Sequence, residues 1–455
     1  MADTVSNNKT DEEYNELIDS VAEREQKIAR LAALVKKHRG KVIVFTGAGI
    51  STGAGIPDFR SGLGSATGLP PGKWCENATK KQWTEQERKE IARRKRKTTS
   101  CLQAVPTPSH MALVALEKAG IVKGLISQNC DGLHRRSGFN PDALAELHGN
   151  TNLEYGGWCG HEYLRDFRAS CGRHTRGAVM AKKLWPKHRK LSLINPRRGR
   201  HYTGRRCTVD GCPGYLFDST IDFGDNLPEK HINRGYRLAK KAGLCIVLGS
   251  RCSVSPACDM PISVGESGRA LAVVNLQRTA ADQHATLRIG AKIDDVMVPL
   301  MQMLGVEIPS FRLQRKVRVR SAAADGRVFV NSVDDDGVPV DLLWNVQACT
   351  MAGADVMSKV AVCEKVFKAT GVVNQDALGG RRRVQQVGVS PGDTARVETW
   401  PWANMARPGF VDVVMTSGNL KGHGMSVPAG LIDIADEAHP LPGKVIVMNA
   451  ASKQG

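Results

Sequence analysis

The 455-residue chain predicts an α/β domain built on a parallel sheet, interrupted by a small metal-binding insert and followed by a β-rich C-terminal region. Three observations carry that prediction. The first is Lys41 to Arg60, KVIVFTGAGISTGAGIPDFR. Its unbroken apolar run Val42-Ile43-Val44-Phe45 suits a strand buried on both faces of a parallel sheet. Gly47 and Gly49 then permit a sharp turn and close approach to a diphosphate, with backbone amides aimed at the anion. The second is recurrence: Gly124 to Ser127 runs into Gln128-Asn129-Cys130-Asp131, Leu244 to Leu248 into Gly249-Ser250, and Leu271 to Val274 into Asn275-Leu276-Gln277. Polar groups at the carboxyl ends of several strands are where an open α/β sheet binds its ligand. The third is a break in that rhythm. Asn150 to Asp218 is rich in cysteine, histidine, arginine and glycine and poor in long apolar runs, which reads as a small metal module inserted into the sheet domain.

The elements follow in order. The first dozen residues are polar and predicted to be disordered. Leu17, Val21, Ile28, Leu31 and Leu34 recur at helical spacing and predict a helix over Tyr14 to Lys37, stopping at Gly40. Ser61 to Pro106 is a long stretch rich in glycine, lysine and arginine, a length that marks a functional or mobile loop, with Gln86 to Lys97 as an exposed charged helix. Pro106 to Ala119 predicts the next helix, opened by Thr107-Pro108-Ser109 and closed by Gly120. Phe217 returns the chain to the main domain, and Glu229 to Ala242 is the helix before the Leu244 strand. Beyond Ile308-Pro309, short apolar runs at Val328 to Val330, Val411 to Met415 and Val445 to Met448, punctuated by Gly, Pro, Asn and Asp, predict a β-rich appendage.

The formal charge of +19 predicts acidic partners, because each lysine or arginine engaged on a phosphate releases counterions. Basic runs at Arg93 to Lys97, at Arg197 to Arg206 and at Arg381 to Arg383 point to nucleic acid or nucleosome contact and to the nucleus. The twelve cysteines lack the spacing of a secreted disulfide scaffold, so a reducing compartment with free or metal-bound thiols is expected. The amino terminus has neither the basic start nor the apolar run of a secretory signal, and no apolar stretch is long enough to cross a bilayer.

GAGIS with IPDFR (Gly47 to Arg60), QNCDGLH (Gln128 to His134), ELHGN (Glu146 to Asn150) and the later LGS and VNLQ segments together resemble the sirtuin family of NAD-dependent protein deacylases. PTPSHMALVALEKAGIVKGLISQNCDGLHRRSGF is similar to its nuclear, chromatin-associated branch. The resemblance runs from about residue 29 to about residue 308. It implies a Rossmann-like sheet over 29–308 carrying a zinc module at about 150–218, behind an N-terminal extension over 1–28 and ahead of a C-terminal region over 309–455.

The resemblance also implies the site. His148 is the general base toward the nicotinamide ribose, a task suited to a group whose ordinary pKa is near neutrality, and Asn129 and Asp131 share the catalytic centre. Gly47, Ala48, Gly49, Ser51 and Thr52 match the diphosphate loop. Ile56, Pro57 and Asp58 match the segment that holds the nicotinamide carboxamide, and Phe59 and Arg60 shield and orient the ribose. Gln128 joins these contacts, while Gly249, Ser250, Asn275, Gln277 and Ile293 hold the adenosine half. The implied reaction consumes NAD, releases nicotinamide and moves the acyl group of a protein lysine, expected on histones, to ADP-ribose. Mono-ADP-ribosyl transfer is an implied second output, and a catalytically weak NAD-sensing chromatin scaffold is the contrasting expectation.

The pattern is broken in places. The family's zinc is held by four cysteines, the first pair spaced CxxC. Here Gly156 takes the place of the first ligand, leaving Cys159, Cys207 and Cys212, one short of a closed tetrahedral site. Cys171, His161, His174 or water remain as the fourth ligand. The loop after Arg60 lacks the family's tryptophan, Trp74 lying farther on, and Arg251 follows Gly249-Ser250 where a small hydroxyl residue is usual.

Overall fold

The structure is a computed structural model describing residues 15–99, 101, 104–165, 168–169, 201–222, 224–311 and 338, and the backbone of the strands between 312 and 451. The chain divides into two compact units, Met1–Asn150 with Ile221–Phe311, and Thr151–Thr220 with Arg312–Gly455.

The first unit is a six-stranded sheet. Its strands are β1 (Val42–Thr46), β2 (Val122–Ser127), β3 (Leu144–Glu146), β4 (Leu244–Leu248), β5 (Ala270–Val274) and β6 (Leu287–Ile289). They lie in the order β6-β5-β4-β1-β2-β3, and every neighbouring pair is parallel. From β1 the chain therefore works outward to one edge, returns to β4 beside β1, and works outward to the other. That reversal leaves a crevice at the carboxyl ends of β1 and β4, where doubly wound sheets bind ligands. All residues of β1 and β4 are buried, in keeping with runs that lack polar alternation. One apolar layer includes Ile28, Leu31, Val44, Leu113, Leu125, Ile246 and Leu300. The other includes Phe45, Ile126, Leu147, Val247, Met260 and Val273.

The first helix differs from its prediction in an instructive way. It begins at Val21, not Tyr14, because Ser20 and Glu23 form a reciprocal capping box: Glu23 N–H donates to Ser20 Oγ at 3.3 Å and Ser20 N–H to Glu23 Oε2 at 3.0 Å. Leu17 precedes the helix as extended chain, its N–H donating to the Leu276 carbonyl at 2.8 Å. Leu17 and Val21 are consequently exposed, while Ile28, Leu31 and Val35 enter the core. The 85–97 region forms Glu85–Lys95, again with a capping box, from Thr84 and Glu87. Pro108–Lys118 and Glu229–Lys241 match the remaining helix expectations closely. The segment after β1 is a 3-10 helix, Ala48–Ala54.

In the second unit, Leu153–Gly156, Glu162–Leu164, Tyr202–Arg206 and Tyr215–Asp218 make a four-stranded antiparallel sheet. One buried carboxylate anchors it: Glu154 accepts from Arg165 Nε at 2.7 Å and from Arg205 Nε at 2.6 Å. Burial raises the Glu154 carboxyl pKa, but the charges of Arg205 and Arg165 outweigh that and hold it below its ordinary value. Arg205 was read from sequence as part of an exposed basic run, and this ion cluster corrects that reading. The C-terminal β content is present as a five-stranded and a three-stranded sheet. The expected runs fall in Val328–Val333, Phe410–Val414 and Lys444–Ala451. The polar amino terminus, Arg197 to Arg200 and Arg381 to Arg383 lie outside the described residues. Among the described residues, no helix is long and apolar enough to cross a membrane.

Candidate active site

The loops after β1 and β4 cross at backbone contact. Gly47 N–H donates to the Leu248 carbonyl at 3.0 Å and Gly49 N–H to the Gly249 carbonyl at 2.9 Å. A Cβ on Gly47 would stand 2.6 Å from Gly249 O, and one on Gly49 would stand 2.6 Å from Gly249 Cα. Gly249 itself has φ +63°, a conformation glycine adopts without steric cost. The glycines are thus explained first by loop packing. The N–H groups of Gly47 and Gly49 themselves are taken up by the end of β4 and the residue after it.

A polar network starts at the carboxyl ends of β1 and β2. Thr46 Oγ1 donates to Ser127 Oγ at 3.0 Å, and Ser127 Oγ also accepts the Asn129 N–H at 3.1 Å. Asn129 Nδ2 donates to the Gly47 carbonyl at 3.0 Å and reaches Ser51 Oγ at 3.4 Å. Ser51 Oγ donates to Asp131 Oδ2 at 2.7 Å, while Asp131 Oδ1 accepts the Leu133 N–H at 2.9 Å. Asn129, Asp131 and Ser51 are all buried, so each polar atom needs such a partner to avoid a cost of ~1–3 kcal/mol.

His148 sits in the loop after β3, its ring Nδ1 2.9 Å from the Gln128 carbonyl oxygen. A carbonyl only accepts, so Nδ1 carries the proton and Nε2 keeps a lone pair. Burial lowers the His148 pKa, the Gln128 hydrogen bond partly opposing it, so the ring is neutral at pH 7. The Gln128 side chain is held in turn, Oε1 accepting from Ser250 Oγ at 2.8 Å. Behind the loop, Glu146 accepts from Arg135 Nε at 2.9 Å and from Asn150 Nδ2 at 2.9 Å. His148, Gln128, Asn129 and the crossed glycines therefore share one end of one sheet.

The remaining predicted residues fall into place unevenly. Thr52 Oγ1 closes its own turn onto the Gly49 carbonyl at 2.9 Å, and Ala48 opens the 3-10 helix. Asp58 accepts from the Arg60 N–H at 2.8 Å and the Ser61 N–H at 2.6 Å, and from the Ser61 hydroxyl. Its carboxylate therefore folds its own loop as well as any role toward a ligand. Phe59 is half exposed, and Arg60 donates to Ser253 Oγ. Asn275 Nδ2 donates to the Gln277 carbonyl at 2.8 Å, and Gln277 is buried. Ile293 is buried in the same apolar layer as Val296 and Leu300.

In the second unit, the Sγ atoms of Cys159, Cys207 and Cys212 lie within 4.8 Å of one another. Cysteine sulfurs gathered so closely are a donor set that suits zinc. Tyr163 Oη, which accepts the Thr208 N–H at 2.9 Å, lies 3.1 Å from Cys207 Sγ. A hydrogen-bonded neighbour of this kind would orient the Cys207 sulfur toward a bound metal. Cys171 and His174 lie outside the described residues, and His161 is not among the groups gathered at the cluster.

Residues 47–256 match the model of the Sir2 family. The chain is 34% identical over 288 residues to NAD-dependent protein deacetylase Sirt6 of Drosophila melanogaster, covering 63% of this chain and 78% of that protein. The chain belongs to the Sir2 family. It is also 36% identical over 308 residues to NAD-dependent protein deacetylase SRT1 of Arabidopsis thaliana, covering 67% of this chain but only 55% of that relative. A solved Sir2–p53 peptide–NAD+ structure shares 27% identity, covers 61% of this chain and 99% of its own, and overlays with a TM-score of 0.40. At that score the overlay adds nothing to the topology described above.

Several residues of this Sir2-family site escape a motif reading. Trp74 stands against the loop of Asp58 to Ser61 despite its distance in sequence: Arg60 lies 4.4 Å over its ring and Phe59 packs at 6.2 Å. Backbone bonds from Trp74 N–H to Phe59 O at 2.9 Å and from Gly72 N–H to Ser61 O at 2.9 Å hold it there. Close packing of Gly72 on Phe59 and Arg60 leaves no room for a side chain. Thr46, Ser127 and His134 form a second group missed. His134 Nε2 lies 2.9 Å from Thr46 Oγ1, and its ring packs 4.8 Å from His110, both rings buried. Their signal was present in QNCDGLH and PTPSH, where buried histidines have the look of surface polar residues.

Proposed function

We propose that this Sir2-family chain is an NAD-dependent protein-lysine deacylase. The observation that carries the reading is the His148 ring, neutral, with its Nδ1 proton directed to Gln128 and Nε2 left as the base, at the sheet end where the glycine loops cross. The names of the relatives, protein deacetylases that depend on NAD, support it. Bound NAD would supply a glycosidic bond whose cleavage releases nicotinamide; the acyl oxygen of the lysine substrate would bond the freed ribose carbon, and a water would then release the lysine amine and leave the acyl group on ADP-ribose. His148 Nε2 takes a proton from a ribose hydroxyl. Asn129, with Ser51 and Asp131 fixing its amide, positions that ribose with Gln128. Asp58 receives the carboxamide, and Phe59, Arg60 and Trp74 exclude water over the reacting carbon. Gly249, Ser250, Asn275, Gln277 and Ile293 take the adenosine half. Cys159, Cys207 and Cys212 hold zinc, which stabilises the second unit and takes no part in the chemistry.

The acylated lysines of histones in the nucleus are the proposed substrates, supported by the +19 charge and the likeness to Sirt6. Purified protein, NAD and an acetylated histone peptide are expected to yield nicotinamide. His148→Ala abolishes that yield while calorimetry still registers NAD binding. Equal turnover in the variant would remove His148 as the base, and bound NAD without turnover in either protein would favour the scaffold reading. Label from NAD retained on protein in the same assay measures the second output, mono-ADP-ribosyl transfer.

A further inference from the structure

Among the described residues, no fourth thiol, imidazole or carboxylate joins the three gathered thiols of the second unit. Cys159 and Cys207 Sγ are 3.5 Å apart, near the roughly 3.8 Å separating two sulfurs that share one tetrahedral zinc. Gly156 lies on the same turn as Cys159, its carbonyl accepting the Gly160 N–H at 2.8 Å. A Cβ built at Gly156 would stand 2.8 Å from Cys159 Sγ and 3.6 Å from Cys207 Sγ. The side chain that position lacks would therefore project onto the thiols. Backbone geometry does not demand glycine there, since Gly156 is not among the residues with positive φ. The Tyr163 hydroxyl, 3.1 Å from Cys207 Sγ, holds one of the three sulfurs in place.

We propose that Cys159, Cys207 and Cys212 bind zinc through three thiolates and leave its fourth position, facing Gly156, to an exchangeable ligand from solvent. Zinc with four protein ligands is closed and structural, whereas three ligands leave it open to small Lewis bases. The metal in this chain is then reachable by imidazole, thiols or chelators, and its loss loosens the unit whose folding it supports. The inference concerns the metal module alone and stands whether or not the deacylase reading does.

The test uses the full chain loaded with cobalt(II), whose visible absorption reports the ligand set. Titration with imidazole is expected to shift the wild-type spectrum saturably, because solvent is displaced from the open position. Gly156→Cys is expected to abolish that shift and to tighten zinc by at least about tenfold in chelator competition, no less than a supporting contact contributes. A wild-type spectrum indifferent to imidazole would overturn the proposal, because a protein group would then fill the position. Cys171→Ser and His174→Ala provide the arm that does not depend on Gly156→Cys folding. Both are expected to leave zinc affinity unchanged, and a loss in either comparable to that of Cys207→Ser would equally overturn it.

Discussion

Replacing Gly49 by alanine separates two reasons for a glycine at this loop. If the residue served only a bound diphosphate, the protein without NAD would not register the change. The crossing of the loops predicts otherwise. The new Cβ would stand 2.6 Å from Gly249 Cα and 3.0 Å from Gly249 O, roughly 1 Å inside ordinary carbon contact. Both neighbours are backbone, so no flexible side chain can swing aside, and the hydrogen bond from Gly49 N–H to Gly249 O must stretch. Overpacking of this kind costs about 1–3 kcal/mol. For a domain of this size that lowers Tm by roughly 2–4 °C per kcal/mol. The assay is thermal unfolding of the NAD-free protein by circular dichroism, with Gly64→Ala as control because nothing lies within 4 Å of its added Cβ. An unchanged Tm for Gly49→Ala would refute the packing argument and return the glycine to a ligand-only role.

Three further outcomes follow from the site. The acid limb of kcat/KM is expected below the ordinary histidine range, because burial lowers the His148 pKa and the base must be neutral; a limb at or above pH 6.5 would contradict it. His110 is held neutral by burial, its pKa pushed from 6.5 down to about 3, and burial also lowers that of His134. The unfolded chain therefore takes up protons first, and stability falls as pH drops below 6.5 by about 1.4 kcal/mol per histidine per pH unit, measurable as urea midpoints at pH 7.5 and 5.5 that converge in a His110→Gln/His134→Gln variant. Trp74→Ala is expected to raise the KM for NAD through loss of its contact with Arg60, worth ~0.5–2 kcal/mol, and an unchanged KM would place Trp74 outside the cofactor loop's function.

The central sheet was legible because its strands are buried on both faces, so Val42 to Phe45 and Leu244 to Leu248 read as unbroken apolar runs. Leu144–Glu146 and Leu287–Ile289 were missed because three-residue strands have no periodicity to detect. Periodicity alone makes the first helix too long because Leu17 is apolar at the right spacing, and only the Ser20–Glu23 pair marks where the helix starts. Motif residues on strand ends were legible by type, and the structure brings His148, Gln128, Asn129, Asp131 and Ser51 into connected hydrogen bonds. What sequence could not show was which polar atoms are spent on the fold. Asp58 and the Gly47 and Gly49 amides look identical in a motif whether they face a ligand or a neighbouring loop. Trp74 is distant along the chain from Arg60, and the backbone pairing between 59–61 and 72–74 removes that distance in space.

The net charge of +19 invites a count of arginines as nucleic-acid contacts, and Glu154 shows why the count misleads. Arg165 and Arg205 are both buried and share this one carboxylate, while Arg94 donates to Glu90 and to the Leu63 carbonyl, each at 2.7 Å. These guanidiniums are spent on the protein's own acceptors. Removing Glu154 would leave two buried positive charges without their carboxylate, a break that costs about 3–5 kcal/mol. Glu154→Gln is therefore expected to lower Tm by roughly 10 °C on the same scale. Arg205→Ala is expected to destabilise as well, yet to leave the slope of DNA affinity against salt unchanged, because a buried guanidinium releases no counterion. A slope reduced by about one in Arg205→Ala would show the side chain on phosphate and undo the assignment.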